Sequence, residues 1–145
     1  MNLEKILFPT DFSKNSHAGL DYATALARDM NARLLILHVA EPVASPAAVG
    51  EYYGVPQPDA QELQTVLKSI VPADPDVAFE HHLSHGVAAE TICDVAEEQN
   101  VDLIVMGTHG RTGLPRLLMG SVAELVMRHA PCPVLTVKLR ESTSE

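Results

Sequence analysis

The stretch DLIVMGTHGRTGLPRLLMGS, residues 102–121, decides the fold class of this chain. It opens on the apolar run Leu103–Met106, which is typical of a strand covered on both faces. Glycines follow at positions 107, 110, 113 and 120. From Ser121 onward, Val122, Leu125 and Val126 recur at helical spacing. A buried strand, a glycine-rich connection and a helix, in this order, predict one unit of a parallel α/β sheet.

The same alternation runs through the rest of the chain. Strands are predicted at 5–8, 33–39, 77–84, 102–106 and 133–137, and helices at 14–30, 59–70, 86–100 and from 121 onward. Strands separated by helices imply right-handed crossovers and a parallel sheet with helices on both faces. Asp59 and Glu62 have the spacing of a capping box at the start of the second helix.

One segment, residues 41–58, interrupts this rhythm with four prolines and two glycines. It is expected to be a loop within the domain, either a lid over a site or a variable surface excursion. The chain shows no internal repeat and no second domain, so residues 1–145 are expected to form one domain with a frayed tail at 141–145.

Composition narrows the class of protein. The 145 residues are 46% hydrophobic and 20% charged, as in an ordinary globular domain. They contain no apolar run near the roughly 18–20 residues of a membrane span, and the first residues lack the pattern of a secretory signal. Cys93 and Cys132 lack metal-site spacing and are expected to be buried free thiols. These features predict a cytoplasmic protein.

Charge is distributed unevenly. The net charge of −9 argues against binding to nucleic acid or to anionic membranes. However, residues 103–123 contain no Asp or Glu, while His109, Arg111 and Arg116 lie within them. A small anion would therefore be tolerated at this segment, unless the acid-free gap is a matter of chance.

The glycine-rich segment has the chemistry of a phosphate site. Glycine lets backbone N–H groups approach an anion closely, and Gly120-Ser121 stands where the free N–H groups of a helix begin. Ser121 and Glu124 also have capping-box spacing, so the Ser121 hydroxyl has a competing structural role. Neither a P-loop nor a dinucleotide-binding G-x-G-x-x-G follows the strands. A second ligand-ready strand end is Pro9-Thr10-Asp11, since ligands of open parallel sheets bind beyond the carboxyl ends of the strands.

The spacing G-x-x-G-x9-G-[ST] from Gly107 to Ser121 resembles the ATP-binding signature of the universal stress protein family. The opening Ile6–Ser13 and the stretch 102–136 are similar to that family as well. The resemblance implies an open five-stranded parallel sheet of order 3-2-1-4-5, which is Rossmann-like and of the adenine-nucleotide alpha hydrolase type. It also implies ATP as ligand, with Mg²⁺ or Mn²⁺ bound to the phosphates and no direct ligation of the metal by the protein.

The same resemblance assigns residues to parts of the nucleotide. Pro9, Thr10 and Asp11 would line the adenine and ribose side, and Val39 would meet the base through its backbone. Met106 and Gly107 would border the ribose. The phosphates would be held by Gly110, Gly120, Ser121 and Val122, while His109 and Arg111 match loop positions without a defined role.

Other hypotheses remain beside this one. The same pocket could serve a slow ATPase or phosphoryl-transfer enzyme, although no catalytic residue is indicated by spacing. The histidines His81, His82 and His85 could suggest a metal, but a surface position on an edge strand fits their alternation better. The apolar last strand, Val134–Leu139, is expected at a sheet edge, and the resemblance implies that it pairs in a homodimer. A further protein partner is left open.

Overall fold

The apolar run Leu34–Leu37 forms part of an interior strand of a parallel sheet. In the computed structural model, which describes residues 2–42, 59–108 and 119–138, Leu34–Leu37 are at most 1% exposed. The five strands of the described residues are β1 (Lys5–Pro9), β2 (Arg33–Ala40), β3 (Phe79–His85), β4 (Leu103–Gly107) and β5 (Val134–Val137). All neighbouring pairs are parallel and the order is β3-β2-β1-β4-β5, as predicted.

Four helices of the described residues connect these strands: α1 (Lys14–Met30), α2 (Ala60–Lys68), α3 (Ala88–Glu98) and α4 (Ser121–His129). Ser13 caps α1 and Asp59 caps α2, each accepting from a backbone N–H three residues on. Helix α1 is followed by its C-cap residue Asn31, whose φ of 54° is the left-handed conformation common after a helix. The Asp59 cap, predicted from its spacing to Glu62, is confirmed.

The helices cover the two faces of the sheet and create two cores. On one face, α1 and α2 pack on strand residues that include Ile6, Phe8 and Ile36. On the other face, α3 and α4 pack on Leu7, Leu35 and Ile104 among others. Because strand side chains alternate between faces, consecutive residues of β1 serve different cores. This is the doubly covered architecture expected from the alternating sequence.

The pairing of β1 with β4 stops short of the carboxyl edge. Its register contains Ile6↔Leu103 and Leu7↔Ile104, although β1 continues to Pro9 and β4 to Gly107. In contrast, the pairings of β1 with β2 and of β4 with β5 continue to these residues. Alternation along β1 directs the backbone nitrogen of Pro9 toward β4, and proline has no N–H to extend that ladder. The ladder between β1 and β4 therefore ends before either strand does, at the point where the winding of the sheet reverses; these unladdered ends are called the parted strands below.

Boundaries differ from the predictions by one to two residues at several ends. Strand β3 begins at Phe79 rather than at Val77, which is buried but precedes the strand. Helix α3 begins at Ala88 rather than Gly86, whose φ of +146° is not helical. The edge positions predicted for the third and last strands are confirmed.

Some predictions concern residues outside the described part of the chain. These are most of the 41–58 loop, the tail 141–145 and Leu139 at the end of the predicted last strand. Within the described residues, no helix has the length and apolar character needed to cross a membrane.

Candidate functional site

The turn after β1 is held by a chain of hydrogen bonds centred on Thr10. Its hydroxyl accepts from Phe12 N–H at 3.0 Å and lies 2.8 Å from the Ser16 hydroxyl. Since Ser16 donates its own proton to the Ser13 carbonyl at 2.9 Å, Thr10 must be the donor to Ser16. Thr10 is 6% exposed, so its side chain supports the turn and does not face solvent.

Asp11 follows Thr10 at the mouth of the turn and is half-buried. One carboxylate oxygen accepts from Ser13 N–H at 2.9 Å, an arrangement that stabilises the turn into α1. Asp11 follows β1 at the carboxyl edge of the sheet, where its carboxylate oxygens can accept hydrogen bonds from hydroxyl or N–H groups.

Phe12 and His38 form a second contact across the same edge. Their rings stack with centroids 4.0 Å apart and an interplanar angle of 22°. His38 Nδ1 lies 2.8 Å from the carbonyl oxygen of Thr10. Phe12 adopts a φ of 69°, which is uncommon for a residue with a side chain and concentrates at functional sites. The sequence pattern gave no signal for either residue.

The end of β4 is tied to the start of α4. Gly120 N–H donates to the Thr108 carbonyl at 2.7 Å, and Thr108 N–H donates to the Val137 carbonyl at 3.0 Å. These bonds hold α4 against the edge that β4 and β5 share. The N-terminus of α4, with its free N–H groups and the positive end of its dipole, therefore lies at the same edge as the parted strands.

The alternative in which Ser121 caps α4 through a capping box with Glu124 is wrong. Gly120 occupies the N-cap position, Ser121 is the first helical residue, and no side chain caps α4 among the described residues. The Gly120 backbone is extended, with φ −63° and ψ 151°, so the helix starts one residue earlier than a Ser121 cap would allow. Ser121 is exposed and its hydroxyl is not engaged in capping the helix.

Helix α1 approaches the end of β4 through Gly19. A Cβ placed on Gly19 would lie 3.0 Å from Phe8 Cε1 and 3.7 Å from both Gly107 N and the Met106 carbonyl carbon. Only glycine allows this separation without displacing the buried Phe8 ring. An isolated glycine inside a helical pattern is the sequence signal that could have indicated this close approach.

Most predicted site residues come together at this edge. Pro9 ends β1, and Thr10 and Asp11 follow it, while Val39 stands one residue before the end of the neighbouring β2. Met106 and Gly107 end β4, and Gly120, Ser121 and Val122 begin α4. The Val122 side chain packs on the second core, so only its backbone could meet a ligand. His109, Gly110 and Arg111 lie outside the described residues.

A cavity of about 450 Å³ lies beside this edge, at the ends of β2 and β3. Its lining is mainly small or apolar and includes Ala40, Pro42, Leu63 and Gly86, with Glu41 and His85 as polar members. The Glu41 carboxylate accepts from Ala88 N–H at 3.2 Å, so it satisfies the start of α3, where Val87 offers no side-chain cap. Glu41 is thus engaged in a structural contact.

The histidines of β3 have structural partners. His81 Nε2 lies 2.7 Å from the Ile70 carbonyl, and His82 Nε2 lies 2.7 Å from a Glu80 carboxylate oxygen. Both are half-buried, so the predicted surface position holds for His85 alone. Over residues 2–42, 59–108 and 119–138, no three His, Cys, Asp or Glu side chains are grouped so as to hold a metal.

Both cysteines are free thiols, as predicted, but they are half-buried rather than buried. Burial raises the pKa of both thiols, with Asp94 adding to the effect at Cys93 and Asp102 at Cys132. Thiols that resist ionisation are poor nucleophiles. Neither cysteine therefore has the environment of a reactive residue.

Comparison with known proteins agrees with this geometry. The model of the universal stress protein family matches residues 2–138. The chain is 37% identical to universal stress protein MJ0531 of Methanocaldococcus jannaschii, over 93% of this chain and 82% of the relative. It is 34% identical to universal stress protein A homolog 1 of Coxiella burnetii, over 97% of this chain and 100% of the relative.

Solved structures give the same result for the fold. Universal stress protein UspA from Lactobacillus plantarum superposes with a TM-score of 0.78 and 26% identity, covering 94% of this chain and 99% of that one. A universal stress protein solved in complex with cAMP has a TM-score of 0.68 and 25% identity, covering 94% and 98%. With its parted central strands, its sheet order and these relatives, the chain belongs to the universal stress protein family.

Proposed function

We propose that this protein binds ATP in the crevice between the carboxyl ends of β1 and β4. The observation that supports this most directly is the parting of the two strands after Leu7 and Ile104, next to the start of α4. Open parallel sheets bind ligands at such a point, and the N-terminus of a helix attracts phosphate.

The proposed position of the nucleotide follows from the residues at the ends of β1, β2 and β4 and at the start of α4. The base and ribose lie at the ends of β1 and β2, with Asp11 toward the ribose and the Val39 backbone toward the base. Met106 and Gly107 border the ribose from β4. The phosphates lie at Gly120, Ser121 and Val122. The backbone N–H groups of Ser121 and Val122 and the exposed Ser121 hydroxyl are available there, and Gly120, whose N–H is bound to Thr108, presents no side chain. Gly110, His109 and Arg111 join the phosphate side on the strength of the sequence motif.

The structure in complex with cAMP supports an adenine nucleotide as the class of ligand. The finer choice of ATP is based on the glycine motif from Gly107 to Ser121. A divalent ion, Mg²⁺ or Mn²⁺, would be coordinated by phosphate oxygens and water, since the described residues supply no cluster of metal ligands. Its chemistry there would be to neutralise phosphate charge.

The biological role that we infer is a nucleotide-dependent stress response, in which ATP occupancy changes the conformation or the choice of partner. Hydrolysis would require a group that orients water against the γ-phosphate. Among the described residues of the crevice, Asp11 and Ser121 are the side chains with suitable chemistry. We therefore place binding ahead of catalysis, and slow ATP hydrolysis is the second outcome that the test can reveal. A cytoplasmic location stays a prediction from the sequence.

The test is calorimetric titration of ATP with Mg²⁺ into protein stripped of carried-over nucleotide. ADP, AMP, cAMP and GTP are titrated in parallel, and phosphate release from ATP is followed over hours. Saturable binding at one site per chain, with ATP preferred over GTP, is the expected result. Absence of binding by every adenine nucleotide would overturn the proposal, and steady phosphate release would favour the enzyme.

A further inference from the structure

His38 makes a hydrogen bond whose direction is fixed by its partner. The residue lies on β2, and its Nδ1 is 2.8 Å from the Thr10 carbonyl oxygen. A carbonyl oxygen can only accept, so Nδ1 must hold the proton and donate. The bond therefore joins the ends of β1 and β2 through a side chain.

This side-chain bond stands where a backbone bond would extend the sheet. The register of β1 with β2 ends at Pro9↔Leu37, and Thr10 N–H donates to the Leu37 carbonyl one step further. In a parallel ladder the next bond would run from Val39 N–H to the Thr10 carbonyl. Within the described part of the chain, that carbonyl accepts from the His38 imidazole, and residue 10 is no longer part of the strand.

The same imidazole supports the turn above it. Its ring stacks on Phe12, whose φ of 69° has an energetic cost for a bulky residue. The Thr10 hydroxyl secures Phe12 N–H from the other side of the turn. Asp11 lies between these two anchored residues, so its orientation depends on both contacts.

We propose that His38 is a positioning residue for the nucleotide, an inference that rests on the function proposed above. By drawing the Thr10 carbonyl toward its Nδ1–H, His38 turns that carbonyl out of line with Val39 N–H, so the ladder does not close and the N–H is left to the base. By supporting Phe12, it holds Asp11 at the crevice. His38 acts on the ligand through Val39 and Asp11 and need not touch it.

Three variants separate these contributions. His38→Leu removes both the donor and the aromatic ring. His38→Asn keeps an N–H donor at the position of Nδ1, and His38→Phe keeps an aromatic ring without the donor. Thermal unfolding of each variant shows whether it is folded, and His38→Phe replaces His38→Leu in the comparison if the leucine variant does not fold.

The first measurement is amide hydrogen exchange of Val39 without nucleotide. When the donor is removed, as in His38→Leu, the Thr10 carbonyl is free to accept Val39 N–H, so exchange of this amide should slow by about tenfold or more. General destabilisation would have the opposite effect and speed exchange. His38→Asn should leave the Val39 rate as in the wild type. A Val39 rate that does not slow in His38→Leu would overturn the proposal.

The second measurement is ATP affinity by calorimetry. His38→Leu should weaken binding about tenfold, the equivalent of one hydrogen bond, and His38→Asn should recover most of the loss. Equal affinity of wild type and His38→Leu would overturn the positioning role. If the wild type itself binds no adenine nucleotide, the proposed function fails, whereas the exchange rate of Val39 still tests the role of His38 in the ladder.

Discussion

The backbone N–H of Gly120 lies 2.7 Å from the carbonyl oxygen of Thr108, and this bond joins the beginning of α4 to the end of β4. Residues twelve apart in the chain are thereby brought to one edge of the sheet. The N–H groups that follow Gly120 in the first turn of α4 lie at the same edge as the parted strands. This arrangement makes the identity of residue 120 critical for an anion at that edge.

Replacing Gly120 with Val should abolish ATP binding, because a branched side chain would stand where the phosphates approach the backbone. The φ of −63° is allowed for valine, so backbone strain is not the expected cause. Calorimetric titration gives the affinity, and circular dichroism confirms the fold. Gly120→Ala is the matched control and should weaken binding less. Unchanged affinity of the valine variant would refute the assignment of the phosphate site.

Replacing Ser121 with Ala should leave stability within about 0.5 kcal/mol of the wild type, as for surface substitutions, because the hydroxyl does not cap α4. ATP affinity should fall by roughly three- to tenfold if the hydroxyl donates to a phosphate oxygen. Urea unfolding and calorimetry report the two quantities separately. A loss of about 1 kcal/mol in stability with unchanged affinity would point instead to a capping role.

Replacing Gly19 with Ala should destabilise the fold by about 1 kcal/mol. The new Cβ would lie 3.0 Å from Phe8 Cε1, and overpacking a core costs about 1–3 kcal/mol. The gain in helix propensity, about 1 kcal/mol, offsets only part of this cost. Denaturant unfolding measures the change. In a Phe8→Leu background the same substitution should be neutral or stabilising, and an equal loss in both backgrounds would exclude the predicted clash.

Glu80 should make stability depend on pH in the acid range. The hydrogen bond from His82 lowers the pKa of its carboxyl group, with Arg33 also contributing. A lowered pKa in the folded state favours the carboxylate. Its contribution is therefore full above the ordinary pKa near 4.3 and is lost as the pH falls through the lowered value.

The matched variant for this prediction is Glu80→Gln. At neutral pH it should be less stable than the wild type by no more than about 1 kcal/mol, because the pair is near the surface. The difference should shrink as the pH is lowered below 4 and as salt is added. Unfolding curves at several pH values provide the measurement, and a difference that grows in acid would contradict the assignment.

The last strand should mediate a homodimer. Two carbonyls, those of Pro133 just before the last strand and of Val137 at its end, accept from N–H groups of the β4 side. Because backbone groups alternate in direction along a strand, the odd-numbered residues of β5 direct their N–H and C=O groups toward β4. Thr136 then directs its N–H to the open edge, where Leu135 is 37% exposed. Thr136→Pro should yield a folded monomer, because it removes an outward donor only.

Light scattering at micromolar concentration tests this prediction. The wild type should have the mass of two chains and Thr136→Pro that of one. Leu135→Pro is the contrasting variant, since its N–H faces β4 and its loss should destabilise the fold itself. A monomeric wild type would show the homodimer prediction to be wrong.

The order of elements could be predicted because each strand and helix has its own apolar pattern. The apolar runs Leu34–Leu37 and Ile104–Met106 are buried, as their own composition predicts without knowledge of the strands beside them. Asp59 caps a helix through a contact with a residue three positions along the chain. The start of α4 could not be predicted in this way, since Gly120 and Ser121 both suit an N-cap and the bond to Thr108 decides between them. The His38–Thr10 bond depends on the register of two strands, which no local pattern specifies.

The relay from Phe12 through Thr10 and Ser16 to Ser13 has one further consequence. The Thr10 and Ser16 hydroxyl protons are both donated to acceptors within the turn, so neither hydroxyl can donate to a bound ligand. Molecular recognition at this corner must then be performed by the main chain and by Asp11. Relatives could therefore differ in many neighbouring side chains and still offer a ligand the same donors and acceptors, because peptide N–H and C=O groups supply them.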